Sequence, residues 1–380
     1  MTALDNNSRG ETNAVIATFY DWSKAFDMQC HTLGIKSFIE CGVRNSLLPL
    51  LVSYLTDRKM TVKYREAISS ERSLPGGGAQ GTLLGPIEYS CQSNDSANCV
   101  NENQRYKFVD DLTTIEVISV ITKVVAYNFH HHVASDIGIN SQYIPKENLE
   151  TQNVISSINS WTLNQKMKLN SAKTKYMIIN YTRKYQFNTR LTLNDTILDC
   201  IQEIKLLGVE LNDDLTWKDN TSTLVKKGFA RLSLLRKLVC FSVPKSDLTE
   251  VFIIFIRSLL EYCCVVWHST ITEEEKTDLE RVQKCAVRII LRNDYTTYEE
   301  GLEKLNLEPL IDRREELLQT FAQQCLKTDK TAKWFPKNNI NDHNTRNTEE
   351  YKVQFANNER LRNSTIPYLQ RLLNKQNSSQ

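Results

Sequence analysis

The chain has 380 residues, of which 41% are apolar and 24% are charged, so it can bury a sizeable core in two or three domains. Its 47 Lys and Arg residues nearly balance 45 Asp and Glu residues, and the net charge of +2 excludes a uniformly cationic protein. With only 12 Gly and 8 Pro residues, the composition argues against long flexible linkers.

The cysteines and the first residues indicate the compartment. The ten cysteines contain no CxxC pair and lie in apolar surroundings such as EYCCVVW, which predicts reduced core residues. The opening MTALDNNSRGETNAVIATFYDW has no basic segment followed by an apolar run, so we expect no signal peptide. The run LTEVFIIFIRSLLEYCCVVW is interrupted by charges and predicts a buried helix, with no membrane partner. We expect an intracellular protein, nuclear or cytoplasmic.

The first half of the chain alternates between strand and helix patterns. Residues 1–13 are polar and predicted to be loose. AVIATFYDW begins as a buried strand, and two helices are predicted over His31–Glu40 and in GVRNSLLPLLVSYLTDRK. MTVKYREAISSERSLPGGGAQG alternates like a hairpin, and RYKFVDDLTTIEVISV predicts a second one. Residues 82–104 are unusually polar, and no element is predicted there.

The second half changes from mixed to helical. ENLETQNVISSINSWTLNQKMKLN predicts a helix, and TKYMIINYTRK and TRLTLNDTILDCIQEIKLLGVEL predict strands. From Trp217 to about Lys327 the apolar spacing is helical, and the Asn-rich end predicts surface or disorder. We therefore expect an α+β core over residues 14–215, a helical region over 216–332 and a polar tail over 333–380.

Carboxylates stand where two predicted strands end. Asp21 follows the first strand, and Asp110 and Asp111 lie at the tip of the second hairpin. An acid pair on a hairpin is most simply a solvated turn, in which Asp is common. If the strands are neighbours, however, Asp21 and Asp110 converge, and converging carboxylates need a divalent cation between them. Two Mg²⁺ ions held in this way support nucleotidyl transfer.

Six segments together resemble the reverse transcriptases of non-LTR retrotransposons, LINE-like elements of the jockey and CR1 sort. FYDWSKAFD resembles the first catalytic motif of that family, GGGAQGTLLGP the second and FVDD the third. WTLNQKMKLNSAKTKYMII resembles the fourth motif, and IKLLGVELNDDLTW resembles the fifth, which carries the primer-grip region. IRSLLEYCCVVWHSTITEEEKTDLERVQKCAVRII resembles the helical segment that follows the polymerase core.

The resemblance covers about residues 14–320 and implies a fold and an activity. The implied fold is a right-hand polymerase, with a palm of small antiparallel sheet and packed helices over 14–215 and a helical thumb over 216–332. The implied activity is RNA-directed DNA polymerisation, with an RNA template, a DNA primer and deoxynucleoside triphosphates (dNTPs) as partners. Because only 20 residues precede Asp21, we expect the fingers to be largely missing and the chain to be N-terminally truncated.

The resemblance also implies a role for each residue that matches a catalytic motif. Asp21 and Asp110 would bind two Mg²⁺ ions, with Mn²⁺ as a possible substitute, and Asp111 would support them. Phe26 would crowd the sugar 2′ carbon and exclude ribonucleotides, although a core phenylalanine is the alternative. Asp27 is predicted to be structural, as a cap of the following helix.

Other matched residues would contact the nucleotide and the primer. Gln80 and Gly81 would line the incoming nucleotide, where glycine lets the backbone approach closely. Lys173 and Lys175 would lie near the departing pyrophosphate, with solvated surface lysines as the alternative. The turn that holds the primer would be formed by Leu207, Gly208 and Val209.

Basic residues gather between about 166 and 237, with aromatic residues such as Tyr176 and Trp217 among them. This pattern favours a nucleic-acid channel, and a charge-mixed helix surface is the alternative. The run His130-His131-His132 has no accompanying ligand cluster and predicts an exposed loop.

Two departures from the family keep other functions open. Ala79 replaces the usual proline of the second motif, and IEYSCQSNDSANC is too polar to predict the apolar helix that normally follows. Three hypotheses therefore stand: a reverse transcriptase, a non-catalytic remnant that binds nucleic acid, and a helical partner-binding protein built on residues 218–330. The third depends on the amphipathic stretch TDLERVQKCAVRIILR.

Overall fold

The computed structural model describes residues 11–74, 76–78, 81–121, 150–180, 189–338, 349–356 and 358–378. The chain divides into two compact units, a sheet unit that ends at Gln202 and a helical unit that begins at Glu203. The expected α+β class is confirmed, because the first unit combines a small, largely antiparallel sheet with helices and the second is mostly helical. The predictions made for Ala79, Gln80 and His130–His132 lie outside the described residues.

The sheet unit contains one five-stranded sheet and a short two-ladder arm. Its strands are β1 (Glu11–Tyr20), β2 (Lys59–Met60), β3 (Lys63–Tyr64), β4 (Ala67–Ile68), β5 (Arg72–Ser73), β6 (Arg105–Phe108), β7 (Asp111–Ile121), β8 (Lys175–Asn180), β9 (Thr192–Leu193), β10 (Thr196–Ile197) and β11 (Asp199–Cys200). Its helices are α1 (His31–Glu40), α2 (Leu48–Leu55), α3 (Leu84–Gln92) and α4 (Glu150–Asn164). The strand order in the main sheet is β11-β8-β1-β7-β6.

The central strand β1 is antiparallel to both neighbours, β7 and β8, and only the β8–β11 pair is parallel. Residues 14–20 are all buried, which confirms the buried strand predicted from AVIATFY. Ile16 of β1 and Leu112 of β7 share a core with Ile155 and Ile158 of α4. The predicted hairpins, and the helix that tolerates Pro49 near its start, are also confirmed.

The polar segment after the glycine-rich turn does form a helix, contrary to the expectation that it was too polar to build one. In α3 the side chains of Glu88, Tyr89 and Gln92 are buried, with Tyr89 in the same core as the sheet. The tyrosine supplies the apolar contact that an isoleucine or leucine stripe usually provides. Sequence periodicity missed this helix because its inward residues include a carboxylate and an amide.

The helical unit begins with a hairpin and continues as packed helices. Its strands are β12 (Glu203–Leu206) and β13 (Val209–Asn212), which form an antiparallel pair. Its helices are α5 (Lys218–Cys240), α6 (Lys245–Val251), α7 (Ser258–Glu261), α8 (Cys264–Trp267), α9 (Glu273–Leu291), α10 (Tyr298–Leu305), α11 (Leu310–Leu326), α12 (Asp329–Ala332), α13 (Glu359–Asn363) and α14 (Thr365–Ser378). A π-helical stretch, Phe252–Arg257, joins α6 to α7.

One large apolar core holds the helical unit together. Leu232 and Leu235 of α5 are fully buried with Val282 and Ala286 of α9. A capping box starts α9, because the Thr272 hydroxyl accepts from the Glu275 N–H while the Glu275 carboxylate accepts from the Thr272 N–H. The helix begins where this reciprocal pair satisfies two backbone donors.

Two segments of the helical unit need comment. The expectation of a polar surface tail is wrong for α14, where Leu369 and Leu373 recur at helical spacing and are buried in the core.

The segment Lys245–Thr270 is long and apolar enough to cross a membrane by length and composition. Its residues Phe252 and Trp267 are fully buried in the helical core.

Candidate active site

Three carboxylates lie at one end of the main sheet. Strand β1 ends at Tyr20, which pairs with Leu112 of β7, so Asp21 and Asp111 continue the same register one step further. Asp111 pairs with Phe108 to close the β6–β7 hairpin, and Asp110 stands at its tip. The antiparallel register therefore brings together the three acids that the sequence pattern selected.

The tip of this hairpin is strained. Its two central residues are Val109 and Asp110, and Val109 has φ +55°. Branching at Cβ makes positive φ unfavourable, and the first central position of a turn with this φ pattern normally holds glycine. Asp110 is thus presented by a turn whose sequence does not favour its own backbone conformation.

Asp111 experiences the negative charge of the two other acids. Burial raises the pKa of the Asp111 carboxyl, and the charges of Asp110 and Asp21 raise it further. The same three charges act on the buried Tyr89 hydroxyl, whose pKa is raised first by burial and then by Asp110, Asp21 and Asp111. The field at this end of the sheet is therefore negative.

The backbone around Asp21 is fixed by the segment between α4 and β8. The Asp21 N–H donates to Thr174 Oγ1 at 3.3 Å, and the Asn170 N–H donates to the Asp21 carbonyl at 2.8 Å. The neighbouring Trp22 forms a β-bridge with Leu169. The segment that resembles the fourth motif therefore lies directly against the one that resembles the first.

The two predicted lysines occupy different positions. Lys173 Nζ lies 4.0 Å from Asp21 Oδ2, and its side chain is 70% exposed. An exposed pair of this length adds little to stability, so the cation is free to approach other anions. Lys175 begins β8, where it pairs with Phe19 and with Asp199.

The glycine-rich turn rests on the segment that follows Asp21. The Gly78 N–H donates to the Phe26 carbonyl at 2.7 Å, and the Gly77 N–H donates to the Gln29 carbonyl at 2.8 Å. His31 Nε2 lies at hydrogen-bond distance, 3.0 Å, from the Gly77 carbonyl. A Cβ at position 76 would come within 2.7 Å of the Gln29 carbonyl oxygen, so only glycine fits there.

The other predicted nucleotide contacts lie beside this turn. The Phe26 ring is half-buried, with its centroid 5.1 Å from that of Tyr89. Gly81 is exposed with φ +77° and lies three residues before α3. Gln80 lies outside the described residues.

The predicted primer-contacting residues form the β12–β13 turn in the helical unit. Leu207 has φ +47° and Gly208 has φ +85°, the pattern of a type I′ turn. The Tyr262 hydroxyl donates to the Leu207 carbonyl at 2.8 Å, and Val209 begins β13. Leu207 is 44% exposed, so its side chain is available for contact.

The donor set of the acid group suits Mg²⁺, a hard cation that takes oxygen ligands and is held by one or two carboxylates together with substrate phosphates. Among the described residues, no three His, Cys, Asp or Glu side chains form a ready-made metal cage. Asp21 and Asp110 would supply the carboxylates, and Asp111 would lie beside them.

Sequence reasoning missed four residues that contribute to the site. Thr174 and Asn170 hold the Asp21 backbone, and His31 contacts the glycine-rich turn. The last is Tyr89, which lies in the helix that periodicity did not predict. The available signal was a tyrosine in a polar helix, three residues after the end of the second motif. The aromatic residues Tyr176 and Trp217, predicted to lie in a nucleic-acid channel, are buried in the two cores and cannot stack on bases.

Comparisons with known proteins confirm the resemblance found in the motifs. The chain is 25% identical over 225 residues to a probable RNA-directed DNA polymerase from transposon BS of Drosophila melanogaster, covering 59% of this chain and 23% of the relative. It is 24% identical over 280 residues to the corresponding protein of transposon X-element from the same species, covering 72% and 28%. For the RNA-directed DNA polymerase of mobile element jockey from Drosophila funebris, the identity is 24%, with 58% of this chain and 22% of the relative covered.

The chain thus spans about a quarter of the length of the curated relatives it matches. No family model matches the chain. Among solved structures, Candida tropicalis telomerase in complex with a TWJ fragment of telomeric RNA is similar with a TM-score of 0.39 and 13% identity, covering 86% of this chain and 48% of that one. The apo form of the same telomerase gives a TM-score of 0.37, with 82% and 50% covered. Scores this low carry no argument about fold or function.

Proposed function

We propose that the sheet unit is the palm of a reverse transcriptase and that it transfers deoxynucleotides to a primer 3′-hydroxyl on an RNA template. The observation that carries the proposal is the strand register, which sets Asp21 beside the Asp110–Asp111 hairpin. The similarity to retrotransposon polymerases supports the same reading. Converging carboxylates at a strand end are the arrangement that phosphoryl transfer with divalent cations requires.

The acids and the lysine would have complementary roles. Asp21 and Asp110 would each bind Mg²⁺, and bound Mg²⁺ would activate the primer hydroxyl and neutralise charge on the transferred phosphoryl group. The strained Val109 turn and the Thr174 and Asn170 hydrogen bonds would hold the two carboxylates in position. Lys173, which reaches Asp21 at 4.0 Å, would attract the triphosphate and the departing pyrophosphate.

The glycine-rich turn and Phe26 would form the nucleotide side of the site. The Gly78 N–H donates to the Phe26 carbonyl and the Gly77 N–H to the Gln29 carbonyl, so the turn is held beside Phe26. The ring would exclude a ribose 2′-hydroxyl by steric contact, and Gln80 and Gly81 would contact the incoming nucleotide. In the helical unit, Leu207, Gly208 and Val209 would contact the primer.

The test is primer extension on an RNA template with Mg²⁺ and dNTPs. We expect extension by the wild type and a loss of at least ~10²-fold in rate in Asp110→Asn, because the amide keeps the size of the ligand but removes its charge. Asp278→Asn is the matched control, since it removes one charge from an exposed pair with Arg281 on α9. We expect this control to extend primers at the wild-type rate.

Two results would contradict the proposal. One is a folded wild-type protein that extends no primer, and the other is equal extension by wild type and Asp110→Asn. Retained binding of an RNA–DNA hybrid in the absence of extension would favour the nucleic-acid-binding remnant.

A further inference from the structure

Tyr89 contacts Phe26, the residue proposed to exclude ribonucleotides, and shares a core with the chain neighbours of the three acids. Its side chain is fully buried in α3, and its ring centroid lies 5.1 Å from that of Phe26 at an interplanar angle of 34°. Its ring therefore supports one side of the Phe26 ring. Neither the motif pattern nor the names of the relatives assigns a role to this residue.

The chain neighbours of all three acids share a core with Tyr89. Tyr20 and Trp22, which flank Asp21, belong to that core. Leu112, which follows Asp111, belongs to it as well, and Val109, which precedes Asp110, packs against it. Tyr89 thus lies under the end of the sheet where the carboxylates emerge, and the pKa of its hydroxyl is raised by burial and by those three charges.

The Tyr89 hydroxyl has no hydrogen-bond partner among the described residues, although it is buried. Two other buried tyrosines of the sheet unit differ in this respect. The Tyr20 hydroxyl is 3.2 Å from Thr114 Oγ1, and the Tyr176 hydroxyl donates to the Thr189 carbonyl at 2.5 Å. A buried hydroxyl without a partner is destabilising, so a partner that arrives with a ligand would relieve this cost.

We propose that Tyr89 is a positioning residue with two parts: its hydroxyl donates a hydrogen bond to one carboxylate of the acid group formed by Asp21, Asp110 and Asp111 when that group binds divalent cations, and its ring fixes Phe26. The inference rests on the proposed function, since it assigns the acids a cation. Carboxylates that bind a metal ion are normally held by hydrogen bonds from outer groups, and loss of such a group weakens metal binding. Tyr89 is one donor at this site that has no partner among the described residues.

The hydroxyl is tested by Mn²⁺ binding to the full chain, measured by electron paramagnetic resonance of free Mn²⁺. We expect Tyr89→Phe to bind Mn²⁺ about 10-fold more weakly than the wild type. Tyr176→Phe is the matched control, because it removes a partnered hydroxyl from β8, and it should bind Mn²⁺ like the wild type.

Urea unfolding without metal separates this role from a structural one. Tyr89→Phe removes an unpartnered polar group, so its unfolding midpoint should equal or exceed that of the wild type. Tyr176→Phe removes a hydrogen bond, so its midpoint should fall. A protein that is no less stable and yet binds Mn²⁺ more weakly is not explained by packing.

The outcomes distinguish the two proposals. Equal Mn²⁺ binding by the wild type and Tyr89→Phe would overturn the role of the hydroxyl and leave the proposed function intact. No Mn²⁺ binding by the wild type, or equal binding by Asp110→Asn, would overturn both.

The ring is tested by the choice between ribonucleotides and deoxynucleotides. Tyr89→Phe keeps the ring against Phe26 and should keep the wild-type preference for dNTPs. Tyr89→Leu keeps a buried apolar side chain without the ring, and should reduce that preference about 10-fold. Equal preference in both variants would overturn the role of the ring.

Discussion

The hairpins β6–β7 and β12–β13 are alike in connection and unlike in chemistry. Each joins antiparallel strands through two residues, Val109-Asp110 in the first and Leu207-Gly208 in the second. In the second, glycine has the larger positive φ, +85°, and Tyr262 donates to the turn carbonyl. In the first, the β-branched Val109 has φ +55° and is followed by two like charges. Glycine at its second central position favours the second turn, whereas neither central residue of the first turn favours its backbone conformation.

The difference supports the proposed role of the first turn. Strain and like-charge repulsion persist only where the surrounding structure enforces them, and they concentrate at functional sites. Strand β7 pairs with the central strand β1 from Leu112 to Ile121. The sheet can therefore impose its register on the Val109 turn. The acid hairpin therefore combines an unfavourable turn with a strong sheet, which fits the proposed role of Asp110.

Relaxing the strained turn is the change with the largest expected effect. Val109→Gly removes the positive-φ penalty, so the free energy of unfolding should rise by about 1–2 kcal/mol. The same change frees the Asp110 backbone, and misplacement of a reacting group by about 1 Å can cost ~10²-fold in rate, so primer extension should fall by at least ~10-fold. Urea unfolding and primer extension on the same preparation measure the two effects.

Leu207→Gly is the matched variant for the stability measurement, because Leu207 has φ +47° in the other turn. It should also raise the free energy of unfolding, by about 1 kcal/mol. A fall in stability for Val109→Gly would show that the valine contributes more by packing than its backbone conformation costs.

Much of this contrast was predictable from the sequence. The strand pattern of RYKFVDDLTTIEVISV predicted the acid hairpin, and the continuous apolar run AVIATFY predicted the buried central strand β1, which pairs with β7. The neighbouring positions of Asp21 and Asp111 followed from assuming that those strands pair. The order of motifs also predicted that the glycine-rich turn and Phe26 belong to one region, and Gly78 and Phe26 are hydrogen-bonded.

Other features were not predictable, for identifiable reasons. Helix α3 buries Glu88 and Gln92 beside Tyr89, and periodicity counts such residues as outward-facing. Helix α14 was hidden by Asn-rich flanks, although Leu369 and Leu373 have the spacing of a buried stripe. The strain at Val109 and the orphaned Tyr89 hydroxyl depend on tertiary contacts that no local pattern encodes.

Adding backbone strain at Gly208 should destabilise the β12–β13 turn, as the strain at Val109 does in the β6–β7 turn. Gly208→Ala forces a side chain into φ +85° and places its Cβ 3.2 Å from Tyr262 Cε1. The free energy of unfolding should fall by about 1–2 kcal/mol, as measured by urea unfolding. An unchanged midpoint would mean that the hairpin already opens before the helical unit unfolds.

Removing the hydrogen bond from Tyr262 to the β12–β13 turn should have a smaller effect. Tyr262→Phe deletes the hydrogen bond to the Leu207 carbonyl and keeps the ring beside Gly208. Because Tyr262 is 48% exposed, water can replace the lost donor, and the free energy of unfolding should fall by no more than about 1 kcal/mol. A larger loss of free energy of unfolding would show that this hydrogen bond contributes more to the turn than Gly208 does.

The smallest expected effect is a pH dependence of the free energy of unfolding that arises from the acid hairpin. The folded-state pKa of Asp111 is raised above its usual value of 3.8 by burial, Asp110 and Asp21. The folded protein therefore holds a proton there that the unfolded chain releases, so this group's contribution to stability increases as the pH falls through the raised pKa. That gain is complete below about pH 3.8, the unfolded value. Asp111→Asn should be more stable than the wild type at pH 7 in EDTA, and its advantage should shrink as the pH falls toward 4. Subtracting the two unfolding curves cancels groups that titrate identically in both proteins. A constant difference across this range would mean that the three acids do not share one field, and the strain at Val109 would then be the only remaining feature that sets the acid hairpin apart.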